Sequence, residues 1–303
     1  MIFPSAQFYS RKSLTPEGLD LGDKVTLIHG SALDYRGNLA ISFGGTNTRR
    51  LQVDYNTDEM SLTVDGKSAS ADESKDLFTG IFGDTCVVIE ATTLGFAELF
   101  STIKALIDIG KTRIEVIYVE PEDYTKPNGT DQYALSELIK GYLPIPNSIV
   151  DLTSDDLEAG VFFLGFESER LERALEEHQM IATKDIKVVF GIPAFQPGWE
   201  LNSIVPHLNR LGEQARIEIA YCSASDPEAA FDCLEGTRES LGIGKRMFVA
   251  PIGTKPCGIA SAVFASIYPD QVGLLFDHPK RKINRSEGSS VWHRYSIILE
   301  DLT

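Results

Sequence analysis

The chain has 303 residues, 43% hydrophobic and 24% charged, enough for one large or two ordinary globular domains with a real core. No apolar run approaches the ~20 residues that span a bilayer, so no membrane contact is expected. The net charge of −16 repels nucleic-acid backbone and disfavours a broad duplex-binding face.

The amino terminus, Met1-Ile-Phe-Pro-Ser-Ala, lacks the basic segment and long apolar run of a secretory signal, and a cytoplasmic location is expected. Residues 22 to 66 read as short strands: Lys24 to His29, Asn38 to Phe43, Arg50 to Tyr55 and Ser61 to Val64. Turn signals lie between them at Tyr35 to Asn38, Gly44 to Asn47 and Asn56 to Asp58. Strands this closely spaced predict antiparallel hairpins. The polar stretch Asp65 to Lys75 reads as a linker.

From residue 84 the pattern becomes alternating strand and helix. Thr85 to Glu90 predicts a strand, followed by a helix to about Ile109. Arg113 to Val119 is the next strand. Residues 121 to 158 are rich in loops and have room for one or two short helices. Strands follow at Gly160 to Leu164, Ile186 to Phe190, Ala215 to Tyr221, Met247 to Ala250 and Val272 to Phe276, with Tyr295 to Leu299 as a last strand at an edge. Helices are predicted over Glu167 to Gln179, Leu201 to Leu211 and Asp226 to Leu241, the last with Asp226 as N-cap and Pro227 at its first position. Such alternation implies a mainly parallel, doubly wound α/β sheet with right-handed crossovers. The four cysteines (Cys86, Cys222, Cys233, Cys257) form no Cys-x-x-Cys pair and read as reduced thiols of a core.

In a doubly wound sheet the turns after successive strands gather along one edge, where ligands bind. Four turns carry polar groups suited to an anion. Glu90-Ala-Thr-Thr-Leu-Gly95 offers Thr92, Thr93 and backbone N–H groups, with a plain helix cap at Thr93 as the alternative. Gly165-Phe-Glu-Ser-Glu-Arg170 offers Glu167 and Arg170 to a ribose and a phosphate, with Ser168 as cap; the alternative is a solvated helical face. Gly191 to Trp199 presents Trp199 to a base, or packs it. Gly253-Thr-Lys255 joins a core strand to a helix of small residues, where free N–H groups and the helix dipole favour negative charge. Lys280-Arg-Lys-Ile-Asn-Arg285, with His293 and Arg294, forms a basic tail that either meets an anionic ligand or an acidic partner or is simply solvated.

The segment from Ala215 to His278 resembles CARF domains, the CRISPR-associated Rossmann-fold sensors of cyclic oligonucleotides. The resemblance rests on Phe248-Val-Ala-Pro-Ile-Gly-Thr-Lys-Pro256, the small-residue helix after it and Val272-Gly-Leu-Leu-Phe-Asp277. Ile252 stands where the family usually has a second glycine. The stretch from 84 to 280 also looks like bacterial defence-associated proteins with a Thr-rich first turn and a Gly-Phe-Glu turn. The resemblance implies a Rossmann-like domain and pairing into a homodimer or a defence complex; the strand and helix pattern places a β-rich region over 1–70 and the α/β domain over 84–303. It implies an anionic, nucleotide-like ligand held by Gly253, Thr254 and Lys255, and the turns described above would add Thr92, Thr93, Glu167, Ser168 and Arg170 to the pocket. The cofactor is unassigned.

Enzyme signatures such as Gly-x-Gly-x-x-Gly, a Walker motif, Gly-x-Ser-x-Gly and His-Glu-x-x-His are missing. Asp277 with His278 forms a conceivable acid–base pair. Glu90, Glu120 and Glu167 all follow strands and would serve a metal or glycosidic-bond cleavage if they converged. The alternatives to a sensor are therefore a nucleotide-cleaving enzyme and a protein-binding scaffold.

Overall fold

The computed structural model describes residues 5–22, 24–44, 47–82, 85–127, 132–211 and 217–300. Met1 to Pro4, Gly45, Thr46, Ala215 and Arg216, named above, lie outside them. The chain divides into two compact units, Met1–Thr125 with Arg281–Thr303, and Lys126–Lys280. The expected boundary between residues 70 and 84 is therefore not where the chain divides.

In chain order the first unit contributes β1 (Ser5–Ser13), β2 (Val25–His29), α1 (Tyr35–Ile41), β3 (Arg49–Asn56), β4 (Ser61–Val64), β5 (Lys67–Ser70), α2 (Ser74–Phe78), β6 (Cys86–Glu90), α3 (Phe96–Asp108), β7 (Arg113–Val119) and β8 (Asp123–Tyr124). The second contributes β9 (Ser136–Ile139), β10 (Leu157–Leu164), α4 (Ser168–Glu177), β11 (Asp185–Gly191), α5 (Trp199–Leu211), β12 (Ile217–Cys222), α6 (Pro227–Glu239), β13 (Arg246–Pro251), α7 (Lys255–Ile267) and β14 (Val272–Leu274). The chain returns through β15 (Pro279–Arg281) to β16 (Ser286–Glu287) and β17 (Trp292–Glu300).

The first unit is built on an eight-stranded sheet of order β1-β17-β7-β6-β2-β3-β4-β5. Its centre, β7-β6-β2-β3, is parallel. The N-terminal strands are thus part of the main sheet of this unit, not a separate run of hairpins. Only β3-β4-β5 forms the expected antiparallel meander. A parallel β2–β3 pair needs a crossover, and α1 supplies it where Asn38 to Phe43 read as a strand. Asp34 drives this local choice, because its carboxylate accepts from the Gly37 N–H at 2.8 Å and caps the helix. The supposed linker at Asp65 to Lys75 holds β5 and the start of α2. β17 is internal, since it pairs with β7 and with β1, and β1 takes the edge that was expected of it. Leu19, Val25, Leu27, Val88, Ile117 and Trp292 pack together as a core on this sheet.

The second unit holds a five-stranded, wholly parallel sheet of order β12-β11-β10-β13-β14. Numbered by appearance, that order is 3-2-1-4-5, and each of the four connections carries one long helix. The short helices expected in residues 121 to 158 are replaced by β8 and β9 among the described residues. α7 is buried from Pro256 to Ile267. Gly258, Ala260, Ala262 and Ala265 leave room for close approach, and Phe264 meets Phe231 of α6 edge-on at 5.4 Å. Within the sheet, Gly160 is obligatory for volume, because a Cβ there would fall 2.1 Å from the Phe248 ring. No helix among the described residues is long and apolar enough to cross a membrane.

Candidate functional site

In the second unit, the turns after β10, β11, β12 and β13 meet at the carboxyl edge of the sheet. A Cβ on Gly165 would lie 3.1 Å from the Ile252 carbonyl oxygen and 3.5 Å from the Gly253 Cα. A Cβ on Gly191 would lie 2.9 Å from Ala224 and 3.5 Å from the Thr254 methyl group. A Cβ on Gly253 would come within 2.8 Å of the Leu164 carbonyl oxygen. Glycine is therefore required at Gly253 by the chain's own backbone, whatever else approaches it. The sheet order reverses between β10 and β13, the place where open parallel sheets leave a crevice for ligands.

Thr254 is the N-cap residue of α7, and its side chain makes no capping bond. Its hydroxyl instead donates to the Ala224 carbonyl at 2.9 Å and lies 3.2 Å from Cys257 Sγ. The Cys222 thiol hydrogen-bonds to Cys257, which lowers the Cys257 pKa against the opposing effect of burial. The Thr254 hydroxyl and the N–H groups of Thr254 and Cys257 pull it in the same direction. The bond to Cys257, followed by burial, raises the pKa of Cys222. The first turn of α7 thus spends part of its donor capacity on an internal sulfur. Lys255, the first helical residue, is half-buried.

Glu167, Ser168 and Arg170 follow β10. The Glu167 carboxylate accepts from the N–H groups of Leu135 and Ser136, at 2.9 and 2.8 Å, and from the Ser136 hydroxyl. Arg170 donates Nε and a terminal nitrogen to the two oxygens of Asp277, at 2.6 and 2.5 Å, and its other terminal nitrogen to the Ile252 carbonyl. Neither side chain is held out for a ribose or a phosphate, as expected above; both tie this edge together. Ser168 instead borders a cavity of about 380 Å³, along with Tyr133, Ser136, Phe166, Glu167 and Arg173. That volume falls within the range of small-molecule sites. Trp199 packs against Tyr133 and Phe166, at 5.9 and 5.8 Å between ring centres, so it anchors the loop rather than presenting an open face.

Thr92 and Thr93 lie in the first unit, on the other sheet, after β6. Their N–H groups donate to the two oxygens of Glu90, at 2.7 and 3.0 Å, and the Thr93 hydroxyl also bonds to Glu90. The Thr92 hydroxyl accepts from Val119 N–H and the Thr93 hydroxyl from Gly30 N–H. A carboxylate of the chain already fills this anion-shaped turn, so Thr92 and Thr93 act as structural fasteners.

The strand-end carboxylates do not converge as free groups. Glu90 is bound in this turn, Glu120 meets His293 Nε2 at 2.5 Å in the core, and Glu167 belongs to the second unit. Both Asp277 oxygens serve Arg170, which removes the proposed Asp277–His278 pair; burial lowers the His278 pKa, with Leu143 and Asp277 opposing. Among the described residues, no three His, Cys, Asp or Glu side chains gather as a metal site.

No protein-family model, curated protein or solved structure matches this chain.

Two polar features of these edges have no local sequence signature. The Cys222–Cys257 contact joins the end of β12 to the first turn of α7, across 35 positions on non-adjacent elements of the chain's order. Arg36, Arg281 and Arg285 gather in the first unit because α1 and the return segment meet at one edge. The basic tail signalled Arg281 and Arg285, whereas Arg36 lay hidden in a stretch read as a turn.

Proposed function

We propose that the chain binds an anionic, nucleotide-type small molecule and acts as a CARF-like, Rossmann-like sensor in bacterial antiviral defence. One observation supports this reading above the others. Gly253-Thr254-Lys255 follows β13 and begins α7, beside the β10/β13 reversal of a 3-2-1-4-5 parallel sheet. That position favours negative charge through the remaining N–H groups of the helix and its dipole. Lys255 supplies a full positive charge, while the open face of Gly253 is taken by the Leu164 carbonyl. A cavity borders Phe166 and Ser168, in the turn whose Gly165 abuts Gly253, although Gly253, Thr254 and Lys255 do not themselves line it. Thr92, Thr93, Glu167 and Arg170 are left out of the contact set, since each is committed within the fold. The enzyme alternative loses its acting groups for the same reason. The sensor would work as a homodimer or within a defence complex, as its resemblance implies.

The test is a panel of cyclic oligonucleotides and NAD, read by thermal shift and by product chromatography together. A shift without turnover is expected, and Lys255→Ala is expected to abolish it. A shift that survives Lys255→Ala removes this residue from the site, and turnover replaces the sensor with an enzyme.

A further inference from the structure

We propose that the first unit carries a second, independent anion site, in which Arg281 and Arg285 backed by Arg36 receive a phosphoryl group at the carboxyl ends of β2, β6 and β7. The proposal does not rest on the Gly253–Lys255 reading, because all its residues belong to the other unit.

The position follows from topology. From β2 the chain crosses through α1 to β3 on one side, and it later returns to β6 on the other side of β2. Neighbouring strands whose connections leave in opposite directions open a crevice at their carboxyl ends. The loops at that point are fixed to each other, with Gly30 N–H donating to the Thr93 hydroxyl at 2.9 Å. Residues 281 to 287 are strapped across the same edge. Arg281 donates to the Thr93 carbonyl at 2.8 Å, Asn284 N–H to the Leu33 carbonyl at 2.7 Å, and the Ser286 hydroxyl bonds to Asp34. β16 pairs with β8 to close the strap.

The charge at this edge is unbalanced. Arg36 is 2% exposed; it donates to the Val119 carbonyl at 2.9 Å, lies 3.7 Å from an Asp34 oxygen and sits over the Tyr118 ring. The buried Nε atoms of Arg36 and of Arg285 have no hydrogen-bond partner among the described residues. Asp34 is already shared by Gly37 N–H, Ser286 and Arg36. Burial first, then the nearby Arg281 and Arg36, push the Arg285 pKa down to about 10, with Tyr124 and Asp34 opposing. The group therefore stays cationic at neutral pH. Arg285 is half-buried with its Nε shut off from solvent, and Arg36 shares Asp34 with other donors, so neither Nε has a carboxylate of its own. In a chain with 44 acidic and 28 basic residues a carboxylate partner would be easy to supply. The missing partner is an external anion. Planar guanidinium forks fit the paired oxygens of a phosphoryl group, and two or three of them match its charge of about −2.

The experiment uses the full chain in phosphate-free, low-salt buffer. Inorganic pyrophosphate is titrated by calorimetry and by thermal shift, against sodium chloride at equal ionic strength. Pyrophosphate is expected to bind and to raise the melting temperature above the salt control. Arg285→Gln and Arg281→Gln are each expected to weaken binding at least ~10-fold, and Arg285→Lys, which keeps charge and loses the fork, to fall between. Circular dichroism checks that the variants fold; if one does not, the other decides. Lys255→Ala removes any anion held in the second unit, and the binding that remains in this background is expected to be what the arginine substitutions weaken. No binding beyond the salt control overturns the proposal, as does binding in the Lys255→Ala background that survives both glutamine substitutions. Binding lost in Lys255→Ala and kept in both arginine variants overturns it too, and assigns the anion to the second unit.

Discussion

Arg170 and Asp277 form a two-pronged ion pair in the core of the second unit, although 107 positions separate them. Asp277 is wholly buried and Arg170 is 8% exposed. The pair fastens the start of α4 to the segment after β14, and the third arm of Arg170 reaches the carbonyl beside Gly253. Removing one partner leaves a buried charge alone, which costs about 3–5 kcal/mol. Asp277→Asn is therefore expected to lower unfolding stability by that order in urea titrations. The double variant Arg170→Met/Asp277→Leu is expected to recover most of the loss. A single-variant loss below ~1 kcal/mol would contradict the assignment.

Gly253 tests backbone proximity rather than ligand contact. A methyl group there meets the Leu164 carbonyl at 2.8 Å, and backbone cannot yield as a flexible side chain does. Gly253→Ala is expected to destabilise the ligand-free protein by about 1–3 kcal/mol, in the range of overpacked sites. An unchanged melting temperature would show that the turn relaxes freely.

Glu90 behaves as a built-in anion for the turn after β6. Glu90→Ala strips the acceptor from two N–H groups and one hydroxyl, all buried. A loss of about 2–3 kcal/mol is expected, set by charged hydrogen bonds and stranded donors. Hydrogen exchange at Thr92 and Thr93 is expected to accelerate in the variant. Protection equal to wild type would disprove the fastening role.

His207 gives a pH signature. It is 1% exposed, its Nδ1 donates to the Ser203 carbonyl at 2.7 Å, and its Nε2 has no partner among the described residues. Burial lowers its pKa, with the Ser203 carbonyl opposing. The folded state therefore resists a proton that the unfolded chain accepts near pH 6.5. Stability is full above that pH and declines as pH falls from about 6.5 toward the lowered folded value, by up to ~1.4 kcal/mol per unit. His207→Gln is expected to flatten this part of the urea-derived profile. A profile identical to wild type between about pH 5 and 7 would exclude His207 as a source.

Local pattern was sufficient wherever one element's own residues decide its state. Val25 to His29, Cys86 to Glu90 and Met247 to Ala250 are apolar runs of strand length, and they form strands. Asp226 with Pro227 marked the start of α6, and the Asp226 carboxylate does cap it, accepting from Glu228 N–H at 3.0 Å. The α/β class followed from that alternation. Asn38 to Phe43 misled, because its alternating apolar residues fit either period over so short a span. The deciding contacts were the Asp34 cap and the parallel neighbour β3, which a window on the sequence does not contain.

The sequence by itself determined the α/β class, the order of most strands and helices in the second half, and a glycine–threonine–lysine turn between a strand and a helix. Tertiary structure decided the division into two large sheets, the inclusion of the N-terminal strands in the first, and the fate of each polar side chain. The physical reason is that periodicity and capping act over a few residues. Pairing of strands and of charges joins positions such as Arg170 and Asp277, and crowding brings together others such as Arg36 and Arg285, that become neighbours only once the chain has folded.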